Sequence, residues 1–257
     1  MTDAALSRRG LIVAGTALGG LLLAGCDRLS QAPEALKFVG GAEGLTKVAQ
    51  RLVLSGQPLA HEFKARDISP VFKANGSFTP TDPAYLAMQQ NGFADWRLSV
   101  GGLVNRPLSV SLAQLKALPA RTQITRHDCV EGWSAIAQWT GPQLGALLRA
   151  AGLQPHARYV VFHCADNLGG AGDGGKYYES IDLFDAFHPQ TILAHTMNNQ
   201  PLATPHGAPI RLRVERQLGY KQAKFVMAIE VTDRLNHIGG GHGGFWEDRG
   251  YEWYAGI

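Results

Sequence analysis

Apolar residues recur along this chain with two different periods, and each period predicts its own kind of element. In "EGLTKVAQRLVL", Leu45, Val48, Ala49, Leu52 and Val53 fall at helical spacing and predict an amphipathic helix. "WRLSVGGL" alternates instead, with Trp96, Leu98 and Val100 turned one way, as in a half-buried strand. "PLSVSLAQLKAL" reads as a short strand followed by a helix capped near Ser111. "TQITRHDC" is a further strand, with Cys129 at or just past its end. "TGPQLGALLRAAGL" predicts a helix with Thr140 as its cap, Pro142 in the first turn and Gly152 after the last. The apolar run in "ARYVVFHCA" suggests a buried strand, and "TILAHTMNNQPL" a hairpin turning at Asn198 and Asn199. "APIRLRVERQLGYKQAKFVMAIEV" holds two more strands with a loop between them. "ISPVFKANGSFTPTDPAY" reads as a long irregular loop and "GGAGDGG" as a flexible one. Phe245, Trp246, Tyr251, Trp253 and Tyr254 predict that the glycine-rich tail packs back on the domain. Strands outnumber helices and do not alternate regularly with them, which predicts an α+β class with a mixed sheet.

The first residues follow neither pattern. "SRRGLIVAG" sets Arg8 and Arg9 before a short, weakly apolar run, Leu11 to Ala24, interrupted by Gly15, Thr16, Gly19 and Gly20. The run is shorter than the roughly 20 residues of a spanning helix and resembles a twin-arginine export signal. It ends in "LLAGC", which resembles a lipobox with Cys26 as the lipidated residue; Asp27 after it favours retention at the inner membrane. The expected organisation is a signal over 1–25, a spacer and amphipathic helix over 26–60, and one domain over 61–257. The expected location is the periplasm, with the lipid on Cys26 as a membrane tether.

Composition adds limits rather than a function. Among 257 residues, 45% are hydrophobic and 18% charged, which fits a globular chain with a real core. The net charge of +3 is too small to argue for nucleic acid, and Arg8 and Arg9 are part of it.

Three cysteines less Cys26 leave Cys129 and Cys164 for chemistry or structure. An oxidising compartment could join them in a disulfide, giving a non-enzymatic lipoprotein binding module. Twin-arginine export carries folded proteins, often because a cofactor is inserted first, and that leaves a cysteine free as a ligand. A metal-free cysteine hydrolase is a third reading, since His127 lies two residues from Cys129 on the same strand face. Zinc finds little support: nine histidines are present, yet neither CxxC nor HExxH occurs, and adjacent His163 and Cys164 should face opposite ways. Arg211 and Arg213 share the strand face opposite Ile210, Leu212 and Val214, with Lys221 and Lys224 beyond Gly219. That set suits an anion such as phosphate, although composition alone favours a solvated face.

Several spaced segments together resemble a known family. "RHDCVEGWS", then "WTG" and a leucine-rich helix, is similar to the signature of the sulfite oxidase family of molybdopterin enzymes. "ILAHTMNNQPL" and "PHGAPIRLRVERQLGYKQAKFVMAIEV" follow in that family's order, and the resemblance runs from Phe72 to Ile257. It implies a β-rich sulfite-oxidase-type molybdopterin-binding fold and a molybdenum oxidoreductase that transfers oxygen atoms on a small sulfur or related substrate. It implies a cofactor with one pterin per molybdenum, Cys129 as the metal's thiolate ligand, and cofactor contacts at Asn75, Cys164, His206, Arg211, Gln222, Ala223 and Lys224. His195 stands where sulfite oxidases carry a substrate-site tyrosine, and the arginine they carry near "AYLAMQQ" is missing, which turns the reading away from sulfite itself. His195, Tyr177 and Asp166, with Tyr178 beside them, are the candidate catalytic and rim residues. Without a CxxCH there is no covalent haem, so electrons are expected to pass through a separate cytochrome or quinone-linked partner.

Overall fold

The computed structural model describes residues 58–169 and 175–257. The signal, Cys26, the spacer and the helix expected around Leu45–Val53 lie outside the described residues, as does most of the "GGAGDGG" loop. Among the described residues no helix is long and apolar enough to cross a membrane.

The architecture is α+β and β-rich, built on three sheets. The largest joins β1 (Arg97–Gly102), β2 (Leu108–Ser111), β5 (Tyr159–Asn167), β6 (Lys176–Asp182) and β11 (Val226–Thr232) in the order β2-β1-β11-β5-β6. It is mixed, because β1 runs parallel to β11 while the other neighbours are antiparallel. Trp96, Leu98 and Val100 turn into the core as their alternation predicts. Ser111 caps helix α2 (Leu112–Lys116), accepting from Gln114 N while the Gln114 side chain accepts from Ser111 N.

The second sheet carries the site. β3 (Ala120–Cys129) and β4 (Trp133–Pro142) pair along their whole length, from Ala120 opposite Pro142 to Cys129 opposite Trp133. The sheet continues through β8 (Thr196–Met197) and β9 (Gln200–Pro201), whose turn residues Asn198 and Asn199 take φ of 49° and 62°, as a two-residue hairpin requires. This ladder corrects one expectation. Thr140 and Pro142 belong to β4, with Thr140 hydroxyl-bonded to Thr122 across the strands at 2.9 Å. The helix, α3 (Leu144–Ala151), starts later and buries Leu144, Leu147, Leu148 and Ala151 at helical spacing. The ladder runs on to Pro142, which stands opposite Ala120, the first residue of β3. Gly141 is needed at this end: a Cβ there would stand 2.0 Å from the carbonyl oxygen of Leu193 on β7 (Ile192–Ala194). β7 pairs with β10 (Arg211–Arg213) to make the third sheet.

A second correction concerns the loop before β1. Pro83–Gln90 is helix α1, because Asp82 accepts from the backbone N–H groups of Ala84 and Tyr85 and Pro83 fills the first helical position. Loop-like composition hid a capped helix. The tail packs back as expected: Phe245 is buried, Trp246 stacks on Tyr251 at 5.3 Å, and Trp253 Nε1 donates to Ser180 Oγ.

Candidate active site

Strand β3 delivers Cys129 to the floor of a cleft. Its alternation buries Gln123, Thr125, His127 and Cys129 on one face. The tight turn that follows closes with Gly132 N bonded to Cys129 O, and Gly132 sits at φ 84°. Asn75, Asp166, Tyr177, Gly219 and Lys224 line the same cleft, with Trp246 and Tyr251 at its edge. Asn75 Nδ2 approaches the Cys129 sulfur at 4.0 Å.

Burial pushes the Cys129 thiol up, helped by the Glu131 carboxylate. A hydrolytic nucleophile needs the opposite shift. Its nearest histidine in sequence is also committed elsewhere: His127 Nδ1 accepts from Arg213 Nη1 at 3.1 Å. The geometry therefore does not form the thiolate–imidazole pair of a cysteine hydrolase. Cys129 and Cys164 are both free thiols, which removes the disulfide expected for a binding module. Among the described residues no group of three or more His, Cys, Asp or Glu is placed to hold a metal, so a metal at Cys129 needs ligands from a cofactor.

The wall beside Cys129 is cationic and buried. Arg211 and Arg213 are almost without solvent contact, at 1% and 0% exposure, so the solvated strand face favoured by composition is not present. Both guanidinium groups lie over Trp139, at 5.1 and 4.3 Å from its ring. Glu215 neutralises Arg213 through two hydrogen bonds. Arg211 donates to the carbonyls of His206 and Gln222, and burial, then Arg213, lowers it to about 9. Lys224 donates to the carbonyls of Asn75, Ser77 and Pro205, which ties residues 75–77 down beside the cleft. Burial and Arg211 lower it to about 7. Lys221 does not join this wall; it turns to two buried carboxylates, Glu179 and Glu247.

Asp166 faces the cations across the cleft. Ser77 Oγ donates to one of its oxygens at 2.9 Å, and burial raises the carboxyl to about 6 against the pull of Ser77 and Lys224. The Tyr177 hydroxyl donates to the carbonyl of Tyr220, and burial keeps the phenol protonated. Tyr178 and Cys164 open instead on a second cavity that shares Tyr177 with the first. The Tyr178 hydroxyl is held by Asp248 there. His195 is not among the residues of the Cys129 cleft. Its Nδ1 meets Thr196 Oγ1 at 2.8 Å, and burial, then Lys116, lowers it from the ordinary histidine value. His206 stands against Phe72, their ring centroids 5.6 Å apart, and burial with Arg211 and Lys224 lowers it to about 4.

Several buried polar atoms in this wall and across from it have no protein partner: His127 Nε2, Trp139 Nε1, His206 Nδ1, Arg211 Nε and Gln222 Oε1, and Asp166 Oδ1 opposite. Such atoms are rare in native proteins and ask for a ligand or water. Two buried cations bonded to carbonyls, Arg211 and Lys224, mixed donors and acceptors, and one soft thiol together fit an anionic heterocyclic cofactor carrying a metal. Sequence reasoning named Arg213 with Arg211 and set His127 beside Cys129, but passed over Glu215 and Trp139 as parts of this wall. The alternation of β10 showed that its arginines share a face, but not that Trp139 covers it.

Fold and site define an oxidoreductase of the molybdopterin class. The chain belongs to that family: residues 85–237 match the model of the oxidoreductase molybdopterin binding domain. It is similar to the "Putative protein-methionine-sulfoxide reductase subunit YedZ1" of Azospira oryzae, at 43% identity over 63% of this chain and 56% of that protein. It is also similar to the protein-methionine-sulfoxide reductase catalytic subunit MsrP of Xanthomonas axonopodis, at 34% identity over 60% of this chain and 50% of that protein. The matches thus span about half the length of these curated relatives. Among solved structures, the sulfane dehydrogenase SoxCD from Paracoccus pantotrophus superposes with a TM-score of 0.49 at 24% identity, over 55% of this chain and 39% of that one.

Proposed function

We propose that this protein reduces sulfoxides to thioethers with a molybdenum–pterin cofactor ligated by Cys129. One arrangement supports this reading above the rest: the buried thiol of Cys129 beside a cationic wall whose buried polar atoms lack protein partners. When bound, the cofactor supplies two-electron oxygen-atom transfer. The balance is sulfoxide plus two electrons and two protons, giving thioether and water. A separate cytochrome or quinone-linked carrier provides the electrons. The names of the relatives favour sulfoxides over sulfite, and so does the absence of the tyrosine and arginine that the sulfite-specific resemblance called for.

Cys129 would offer the metal a soft ligand, which binding deprotonates. Arg211 would meet the cofactor's phosphate, while Asn75, His206, Gln222 and Ala223 would contact the pterin; Cys164 opens on the neighbouring cavity. Lys224 would hold the 75–77 segment against it and add charge. Trp246 and Tyr251 give the mouth an aromatic edge suited to a methyl thioether. The export signal and "LLAGC" support a periplasmic enzyme tethered by a lipid on Cys26, within reach of a membrane-bound carrier.

Asp166 would deliver a proton to the departing oxygen. Its protonated form is the active one and its carboxyl sits near 6, so turnover should fall as pH rises through about 6. Asp166→Asn should lower turnover by about 10²-fold or more and flatten that limb. A wild-type pH profile in the variant would remove Asp166 from the chemistry. The reading as a whole is tested by elemental analysis of protein exported from a molybdenum-replete host, paired with turnover of methionine sulfoxide. Near-stoichiometric molybdenum with turnover is expected; a content near zero overturns it.

A further inference from the structure

We propose that His127 is a positioning residue for the cofactor, presenting one fixed Nε2–H donor to a lone-pair acceptor on it. The proposal rests on the cofactor reading above and adds a residue to it. His127 and Cys129 occupy the same face of β3, two residues and about 7 Å apart along the strand. The imidazole is wholly buried.

Its tautomer is set by its neighbours. Arg213 Nη1 points at Nδ1 at 3.1 Å, and a guanidinium can only donate, so Nδ1 must accept. The neutral ring therefore carries its proton on Nε2. Arg213 has no freedom to release it. Its Nε and Nη2 are held by both oxygens of Glu215, at 3.0 and 2.6 Å, and Glu215 also accepts from Gln123 Nε2 at 2.7 Å. Gln123, Glu215, Arg213 and His127 form one buried chain ending in a single N–H.

That N–H has no acceptor of suitable geometry in the protein. The Gln222 side chain is close enough to pull the imidazole's proton affinity up, yet its Oε1 falls outside hydrogen-bond geometry and is itself without a partner. An unpaired buried donor is unfavourable, and this one is surrounded by other partnerless atoms of the same wall. Phe72 touches both His127 and His206, and Trp133 packs on the imidazole as well. Gly219 lines the cleft, and a Cβ on it would stand 2.5 Å from Nε2, so only glycine fits between the ring and the cleft.

The test uses the holoenzyme with ¹⁵N-labelled histidine. The His127 Nε2–H resonance is assigned by its loss in His127→Gln. It should move downfield and exchange more slowly in the holoenzyme than in cofactor-free protein from a pterin-deficient host. Identical position and exchange in both forms overturn the proposal. A second readout is cofactor retained on dialysis. His127→Leu should lose it about 10–100-fold more readily, as loss of an outer-shell partner does, while His127→Gln, which keeps an N–H donor, should restore most of the retention. Equal retention by His127→Leu and wild type also overturns it. Failure of the wild type to hold molybdenum at all would instead overturn the cofactor reading, which keeps the two outcomes apart.

Discussion

Cys129→Ser should abolish sulfoxide reduction, with a loss larger than the roughly 100-fold that removing an outer-shell partner costs a metal site. A hydroxyl is a harder ligand than a thiol and gives up its proton far less readily. The buried thiol here already favours its protonated form, so the metal alone must draw the proton off. No neighbouring set of His, Cys, Asp or Glu among the described residues can take over the metal. The fold should survive, because Cys129 closes its strand and its side chain makes one weak contact, from Asn75. Turnover, near-ultraviolet circular dichroism and the thiolate-to-metal absorption band check this together. A serine variant that keeps both the band and the activity would show that Cys129 is not the ligand.

Lys221→Met is expected to produce the largest loss of stability. Lys221 Nζ bonds both Glu179 and Glu247, and all three side chains are buried. Methionine keeps the bulk but leaves two carboxyls without their cation, a change that typically costs about 3–5 kcal/mol. The sign of the pH dependence follows from Glu179. Burial, reinforced by Glu247 and opposed by Lys221, holds its carboxyl well above the ordinary 4.5. The folded state therefore binds this proton at pH values where the unfolded chain has released it. Stability from this group is complete below about 4.5 and is lost as pH rises towards the folded value. Without Lys221 that value climbs further, so the gap between variant and wild type should widen with rising pH and narrow in acid. Urea titrations across pH check it, and a gap under about 1 kcal/mol at neutral pH would mean the ion triad contributes little. Adding Glu179→Gln and Glu247→Gln to Lys221→Met should recover much of the loss.

Much of the local structure could be read from residue order. Alternation placed Trp96, Leu98 and Val100 in the core, Asn198 and Asn199 announced their hairpin, and Ser111 its helix cap. The end of β3 came out at Cys129. Errors fell where a distant partner outweighed a local signal. Thr140 and Pro142 resemble a helix start, but pairing with β3 holds them in a strand. The proline and threonine around Asp82 resemble a loop, yet Asp82 caps a helix whose Tyr85 anchors to Ala208 at 2.7 Å.

The candidate site divides the same way. A lone thiol at a strand end and basic residues on one strand face were legible, but only the family resemblance implied a thiolate-ligated, anionic cofactor for them. Where each charge ended up was not legible. Lys221 and Lys224 are three positions apart, yet one turns to Glu179 and Glu247 and the other to Asn75, Ser77 and Pro205. His195 meets its chain neighbour Thr196 and is not among the residues that line the Cys129 cleft. Periodicity states which way a side chain points relative to its own strand or helix, because that geometry is local. Burial and charge pairing depend on what arrives from elsewhere in the chain. His127 meets Arg213 across 86 positions and Asn75 meets Lys224 across 149, so those contacts exist only once the sheets have assembled.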